Sequence, residues 1–190
     1  MKGLCQYHRM RLDPATMDAL RKRYISLDVE TTGLSPYNDR IIEVGAVLFE
    51  NAKIAGRFGS LVNPGLPIPR AATAVNNITN DMIKTAPLEA EVYHDLVRFL
   101  GDALDNRTAL CAHNASFDLG FLSRTLERFG YGGTIRYVDT LTLSRELVRG
   151  LANYKQDTVA SHFGLINEEA HRAVSDATVC GILLRNLLNL

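Results

Sequence analysis

The sequence predicts an α/β fold, a mixed sheet flanked by helices, in one domain. Three observations carry that expectation. Three segments rich in β-branched and apolar residues follow one another over residues 24–62, the last two joined by the turn-forming Asn51-Ala52-Lys53. Beyond residue 87, short apolar runs alternate with stretches of helical spacing. Sequential strands followed by such alternation build a sheet with helices on its faces.

Taken in order, residues 1–23 read as an N-terminal extension and residues 24–190 as the domain. In the extension, Asp13-Pro14 opens a helix, because proline fits the first helical position. Lys2, Arg9, Arg11, Arg21, Lys22 and Arg23 stand against Asp13 and Asp18, six minus two or a net of +4. That charge suits either a solvated lead-in or an arm that touches phosphate. Residues 24–30 form the first strand, and Ser35-Pro36-Tyr37-Asn38-Asp39 is a turn cluster. Residues 41–49 and 54–62 are the next two strands. Asn63 to Pro69 must be loop, since its three prolines cannot donate to a ladder.

Leu88, Val92, Leu96 and Leu100 give residues 87–104 the spacing of a helix. Leu110-Cys111-Ala112 is a short buried strand. Residues 116–129 are a helix that Gly130 stops. Tyr137-Val138 is a strand, and residues 140–148 and 158–163 are helices. Residues 173–190 close the chain as a helix with Val174, Ala177, Ile182, Leu183 and Leu187 on its apolar side. No internal repeat, low-complexity tract or linker interrupts this order.

A chain of 190 residues can bury a sizeable core, and 46% apolar with 22% charged residues is ordinary for a globular protein. Lys+Arg and Asp+Glu are both 21 and cancel. That balance excludes coating nucleic acid by bulk charge, but not an enzyme that holds phosphates with bound cations. The three cysteines, Cys5, Cys111 and Cys180, are scattered and form no CxxC pair. A reduced, cytoplasmic setting is the expectation, with Cys111 and Cys180 as small core residues. The N-terminus has no apolar leader pattern, and no apolar run is long enough to span a membrane.

The chemistry starts in the first strand. Asp28 and Glu30 stand two residues apart, so they face the same side. Adjacent anions repel, and a divalent cation resolves the conflict; oxygen-only ligands favour Mg²⁺ or Mn²⁺. Two solvent-facing acids on an edge strand explain this pair alone equally well. His113-Asn114-Ala115-Ser116-Phe117-Asp118 marks a second place, where a strand passes into a helix. Asp118 there also suits the helix dipole. In His171-Arg172-Ala173-Val174-Ser175-Asp176, the acid falls in the early turns of a helix and the histidine just before it. Together, four acids and one histidine fit two-metal phosphoryl transfer, with the histidine taking a proton from water.

These motifs, in this order and at these separations, resemble the DEDDh 3′→5′ exonucleases, a family that includes the proofreading epsilon subunit of bacterial DNA polymerase III. Asp28-Val29-Glu30-Thr31-Thr32-Gly33-Leu34 matches the first family motif, and the two segments just named match the others. The tyrosine-type relatives carry Tyr where this chain has Arg172. Ile41-Ile42-Glu43-Val44-Gly45, Asp139-Thr140-Leu141 and residues 157–164 agree as well. The likeness runs from about Tyr24 to the C-terminus.

The resemblance implies a ribonuclease-H-like fold, with three leading antiparallel strands and then parallel ones. It implies that Asp28, Glu30 and Asp176 hold the metal that activates water. Asp28 also serves a second ion, and Asp118 supports the metals. It makes His171 the general base. It places Thr31, Thr32, Gly33 and Leu34 around the terminal nucleotide, with Ile78, His113, Asn114 and Phe117 nearby. Relatives often carry His-Gly-Ile-Thr where this chain has Asn76-Asn77-Ile78-Thr79. The implied partner is a nucleic acid with a free 3′ end, in DNA repair or proofreading. The epsilon subunit continues past the position matching Leu190, so a polymerase partner is not expected. The alternatives are an exoribonuclease trimming RNA 3′ ends or short oligonucleotides, and a non-catalytic nucleic-acid-binding module.

Overall fold

The computed structural model describes residues 3–167 and 169–189. The first strand expected from the sequence is the hub of a six-stranded mixed sheet. It is β2 (Arg23–Thr31), which forms an antiparallel meander with β3 (Ile41–Glu50) and β4 (Lys53–Leu61). On its other side β2 pairs in parallel with β5 (Ala109–Ala112), and β5 with β6 (Gly133–Asp139). One strand was not expected: β1 (Cys5–Arg9) lies outside β6, parallel to it, giving the order β1-β6-β5-β2-β3-β4. Its five residues are too few to show an alternating pattern.

The extension is thus part of the sheet. The expected helix follows as α1 (Pro14–Lys22), capped by Asp13, whose side chain accepts the Thr16 N–H at 2.8 Å. Three of the extension's arginines pair with acids: Arg9 with Glu146, Arg21 with Asp18 and Arg23 with Glu50. Lys2 and Leu190, included in the expectations above, lie outside the described residues. Two short helices were also missed, α2 (Arg70–Asn76) and α3 (Asn80–Lys84), since neither is long enough to declare a period. The remaining helices are α4 (Glu89–Leu100), α5 (Ala115–Arg128), α6 (Thr140–Leu147), α7 (Gln156–His162) and α8 (Ala173–Leu188).

Alternation along β2 sorts the core into two layers. Ile25, Leu27 and Val29 pack with Val92, Tyr93, Leu96 and Leu100 of α4 and Leu119, Leu122 and Leu126 of α5. On the opposite face Tyr24 packs with Val47, Phe49 and the α8 residues Ala177, Cys180 and Leu184. Ser26, Asp28 and Glu30 continue that second row toward the end of the strand. All three cysteines are buried and unbridged.

α8 lies unusually close to the sheet, and glycines make room for it. A Cβ on Gly45 would overlap the backbone of Ala173, and one on Gly59 would overlap the side chain of Val174. Gly45 and Gly59 face each other across β3 and β4, and Gly45 faces Asp28 across β2 and β3. Farther along, Gly181 accepts the Phe49 ring against its bare Cα. Tyr24 stacks on that ring at 4.9 Å and donates its hydroxyl to the Gly181 carbonyl at 2.9 Å.

Gly45→Ala should therefore lift the start of α8. Overpacking of this kind costs about 1–3 kcal/mol, which lowers the thermal midpoint by roughly 2–4 °C per kcal/mol for a chain of this size. A melting curve matching that of the wild type would show that the helix yields without strain.

Candidate active site

The site forms where β2 parts from β5. Their pairing ends at Ser26 opposite Cys111, so the Val29 N–H beyond it has no strand to bond. Asp118, in the first turn of α5, accepts that N–H at 3.1 Å through Oδ1. α5 starts from Asn114 in the left-handed conformation, φ 74°, and the Asn114 N–H donates to Asp139 Oδ1 at 3.1 Å. The same Asp139 oxygen caps α6 through the Leu141 N–H.

Asp176, in the first turns of α8, faces this row from the other side. Its Oδ1 accepts Asn167 Nδ2 at 2.5 Å and Gln156 Nε2 at 3.3 Å, and its Oδ2 accepts the His171 N–H at 2.9 Å. His171 is exposed and left-handed, φ 64°, and among the described residues only its backbone N–H is hydrogen-bonded. Glu30, His171 and Asp176 each present a possible ligand atom, all within 4.8 Å of one another. Asp28, Glu30, His113, Phe117, Asp118, His171 and Asp176 line one cleft of about 250 Å³.

A second cavity, about 390 Å³, shares Glu30 and Phe117 with the first and continues past Thr31, Gly33 and Leu34 to Ala71, Val75 and Asn76 of α2. Its lining is mostly apolar, and Leu34 and Val75 stand exposed at its sides. Asn76 ties α2 to β2, with its Nδ2 donating to the Thr31 carbonyl at 3.3 Å. Asn77 takes the left-handed position that ends α2, φ 58°. After glycine, asparagine is the residue that best tolerates that geometry.

The other residues expected at the site divide. Thr31 and Gly33 line the groove, and the Thr31 hydroxyl donates to the Gly33 carbonyl at 2.6 Å. Thr32 is buried and serves its own loop, accepting the Arg40 N–H at 3.0 Å. Ile78 lines neither cavity: it is fully buried against Ile42, Ile68 and Ile83. His113 reaches the cleft but is held on both ring nitrogens, by the Tyr154 carbonyl at 2.8 Å and the Thr140 hydroxyl at 3.0 Å. Burial lowers its pKa, so it stands neutral with Nε2–H donating to Tyr154. Asn167 and Gln156, which orient Asp176, were missed; single polar residues in a loop and at a helix start leave no pattern in a sequence.

Electrostatics set the chemistry of the acids. Burial raises the pKa of Asp28 well above the usual carboxylate range, and Asp118, Asp176 and Glu30 raise it further. Burial, then Asp176 and Glu43, push Glu30 up to about 7. Burial pushes Asp118 up to about 8, against the Val29 N–H that favours its charged form. Asp176 is raised as well, again chiefly by burial. Four crowded carboxyls, all resisting ionisation, are a donor set that a divalent cation would satisfy.

A carboxyl whose pKa is higher folded than unfolded binds protons more tightly in the fold. Stability is then fully present below the unfolded carboxyl range, near about 4, and declines as pH rises toward 7 and 8. Metal-free protein should lose several degrees of thermal midpoint between about pH 5 and pH 8, and Mn²⁺ should restore them. Asp28→Asn should melt above metal-free wild type at neutral pH and respond less to Mn²⁺. A midpoint that rises with pH would contradict the crowding.

Comparison with known proteins agrees with this geometry. The model of the exonuclease family that includes RNase T matches residues 25–184. The chain is 42% identical over 159 residues to the PolC-type DNA polymerase III of Caldanaerobacter subterraneus, covering 84% of this chain and 11% of that protein. It is 37% identical over 168 residues to the DNA polymerase III subunit epsilon of Treponema pallidum, covering 87% of this chain and 76% of that one. The chain spans about a tenth of the length of the PolC-type relatives. Among solved structures, E. coli exonuclease I in complex with a dT13 oligonucleotide shares the fold, with a TM-score of 0.76 at 16% identity over 87% of this chain and 41% of that chain. Exonuclease X in complex with 5′ overhanging duplex DNA matches with a TM-score of 0.66 at 26% identity over 87% and 91% of the two chains.

Proposed function

The chain belongs to the exonuclease family matched over residues 25–184, and from that premise we propose that it hydrolyses DNA from the 3′ end, releasing 5′-mononucleotides in a proofreading or repair setting. One observation carries the reading. The crowded acids of Asp28, Glu30, Asp118 and Asp176 open directly onto a groove that α2 bounds, so cleavage and end recognition share Glu30 and Phe117. Mg²⁺ or Mn²⁺, two ions as the resemblance implies, would be held by these four acids and would supply charge stabilisation and a more acidic water.

The chain's own residues account for the rest. The terminal base packs between Leu34 and Val75, with Phe117 beneath it. Its sugar then lies toward Thr31, and its 5′ phosphate reaches the carboxylates. A volume of about 390 Å³ falls at the small end of ligand pockets, roughly 300–1,000 Å³, and takes a single nucleoside. The 3′ hydroxyl meets the side of the groove that α2 bounds, where a continuing strand does not fit. The imidazole of His171 accepts the proton of the attacking water. In-line attack expels the 3′ oxygen of the preceding nucleotide and leaves the phosphate on the released unit.

DNA is favoured over RNA by the names of the relatives, two of which are DNA polymerase III proteins. The expectation of no polymerase partner drew on the chain's end at Leu190, and that end carries no information here. Among the described residues no helix is long and apolar enough to cross a membrane, and a cytoplasmic setting belongs to this proposal.

Three measurements test it. His171→Ala should slow hydrolysis about 10²- to 10⁴-fold while Mn²⁺ affinity stays near that of the wild type; loss of metal binding would make His171 a ligand. A 5′-labelled oligonucleotide should give a ladder of shortening bands, and a 3′-phosphate should block it. Efficient cutting of circular single strands would show the groove to be open and the direction wrong.

A further inference from the structure

Glu43 is a buried carboxylate with no part in the reaction proposed above. It lies on β3 opposite Glu30 and is 4% exposed. Each of its hydrogen bonds goes to the start of α8. Arg172 Nε donates to Oε1 and Oε2 at 3.0 and 3.3 Å, Arg172 Nη2 donates to Oε1 at 2.7 Å, and the Ala173 N–H donates to Oε2 at 3.2 Å. Arg172 is the N-cap residue of α8 and its side chain makes no cap hydrogen bond. Glu43 therefore caps the helix from the sheet, where its charge also suits the helix dipole.

Stability does not explain such an arrangement. Desolvating the buried Glu43 carboxylate offsets much of its attraction to Arg172, whose side chain is 48% exposed and still solvated. Like charges opposite each other on neighbouring strands, as Glu30 and Glu43 are, add a penalty. What the contact does control is the segment around it. His171 immediately precedes Arg172, and the Asp176 N–H donates to the Arg172 carbonyl at 3.0 Å.

We propose that Glu43, through Arg172 and the first N–H of α8, is a positioning residue that holds His171 and Asp176 against Asp28 and Glu30. The inference rests on the exonuclease reading. It leaves the nucleotide groove untouched, so it acts on turnover and metal affinity and not on end binding.

The test uses Glu43→Gln, Arg172→Gln and Arg172→Lys in the full chain. Turnover and KM are measured on a single-stranded oligonucleotide, and Mn²⁺ affinity by calorimetry. Both Gln variants should lose about 10- to 100-fold in kcat and a similar factor in Mn²⁺ affinity, with KM within about threefold of wild type. Arg172→Lys keeps the charge without the fork and should fall between. The double Gln variant should be no worse than the poorer single one. If Glu43→Gln does not fold, the half-exposed Arg172 variants decide the matter. Unchanged kcat in the folded variants overturns the proposal. So does a rise in KM confined to Arg172→Gln, which would mark Arg172 as a phosphate contact. Wild type that releases no nucleotide yet binds Mn²⁺ in a Glu43-dependent way would refute the exonuclease reading and leave the positioning role standing.

Discussion

Everything at this site depends on how closely α8 approaches the sheet. A helix that rests on side chains stands too far off for a carboxylate in its first turn to meet one on the strand below. Here Gly45 and Gly59 remove the side chains under the first turn, and Gly181 removes one from the helix itself. Backbone then lies on backbone, with Tyr24 bonding the Gly181 carbonyl as a fixed point farther along. Asp176 reaches Glu30 because two strands and a helix each gave up a Cβ.

That closeness creates the electrostatic conflict that the chemistry uses. Carboxylates are forced together in a place that burial makes poor at holding charge, and their pKa values rise in consequence. The surrounding dipoles orient the acids without neutralising them. Asp118 takes a strand N–H left over where β2 and β5 part, and Asp176 takes two side-chain amides and one backbone N–H. Neutral donors of this kind fix direction without supplying the positive charge that would let the crowded carboxyls ionise together. The site is preorganised for cations in the same way that an oxyanion hole is preorganised for anions.

Much of this was legible in the sequence, for reasons that differ from element to element. β2, β3 and β4 declared themselves because the strands are nine or ten residues long and apolar or β-branched residues recur along them. The helix α4 did so through four leucines and valines at regular spacing. β1, α2 and α3 were not legible, because β1 is mostly polar and α2 and α3 carry only one or two large apolar residues each. The four acids and His171 stood out as motifs, and the structure brings them to one cleft. Ile78 lies outside both cavities, and an isoleucine beside a motif looks the same in sequence whether it lines a groove or supports it from below. Glu43 was quoted only as part of a matching run. Its role depends on a contact across 129 residues, and no local pattern encodes such a contact.

The small cluster of Ile42, Ile68, Ile78 and Ile83 is separate from the two large layers of the core. It supports α2 and α3, and α2 forms one side of the second cavity. Residues 63–87 therefore form a unit around Ile68, Ile78 and Ile83 that rests on Ile42 of β3 and is tied to β2 by Asn76. Substitutions within this unit reshape the second cavity while the acids, the glycines beneath α8 and the large core layers stay as they are. Under the proposed function, end preference can then shift while the acids are kept, except at Glu30 and Phe117, which line both cavities.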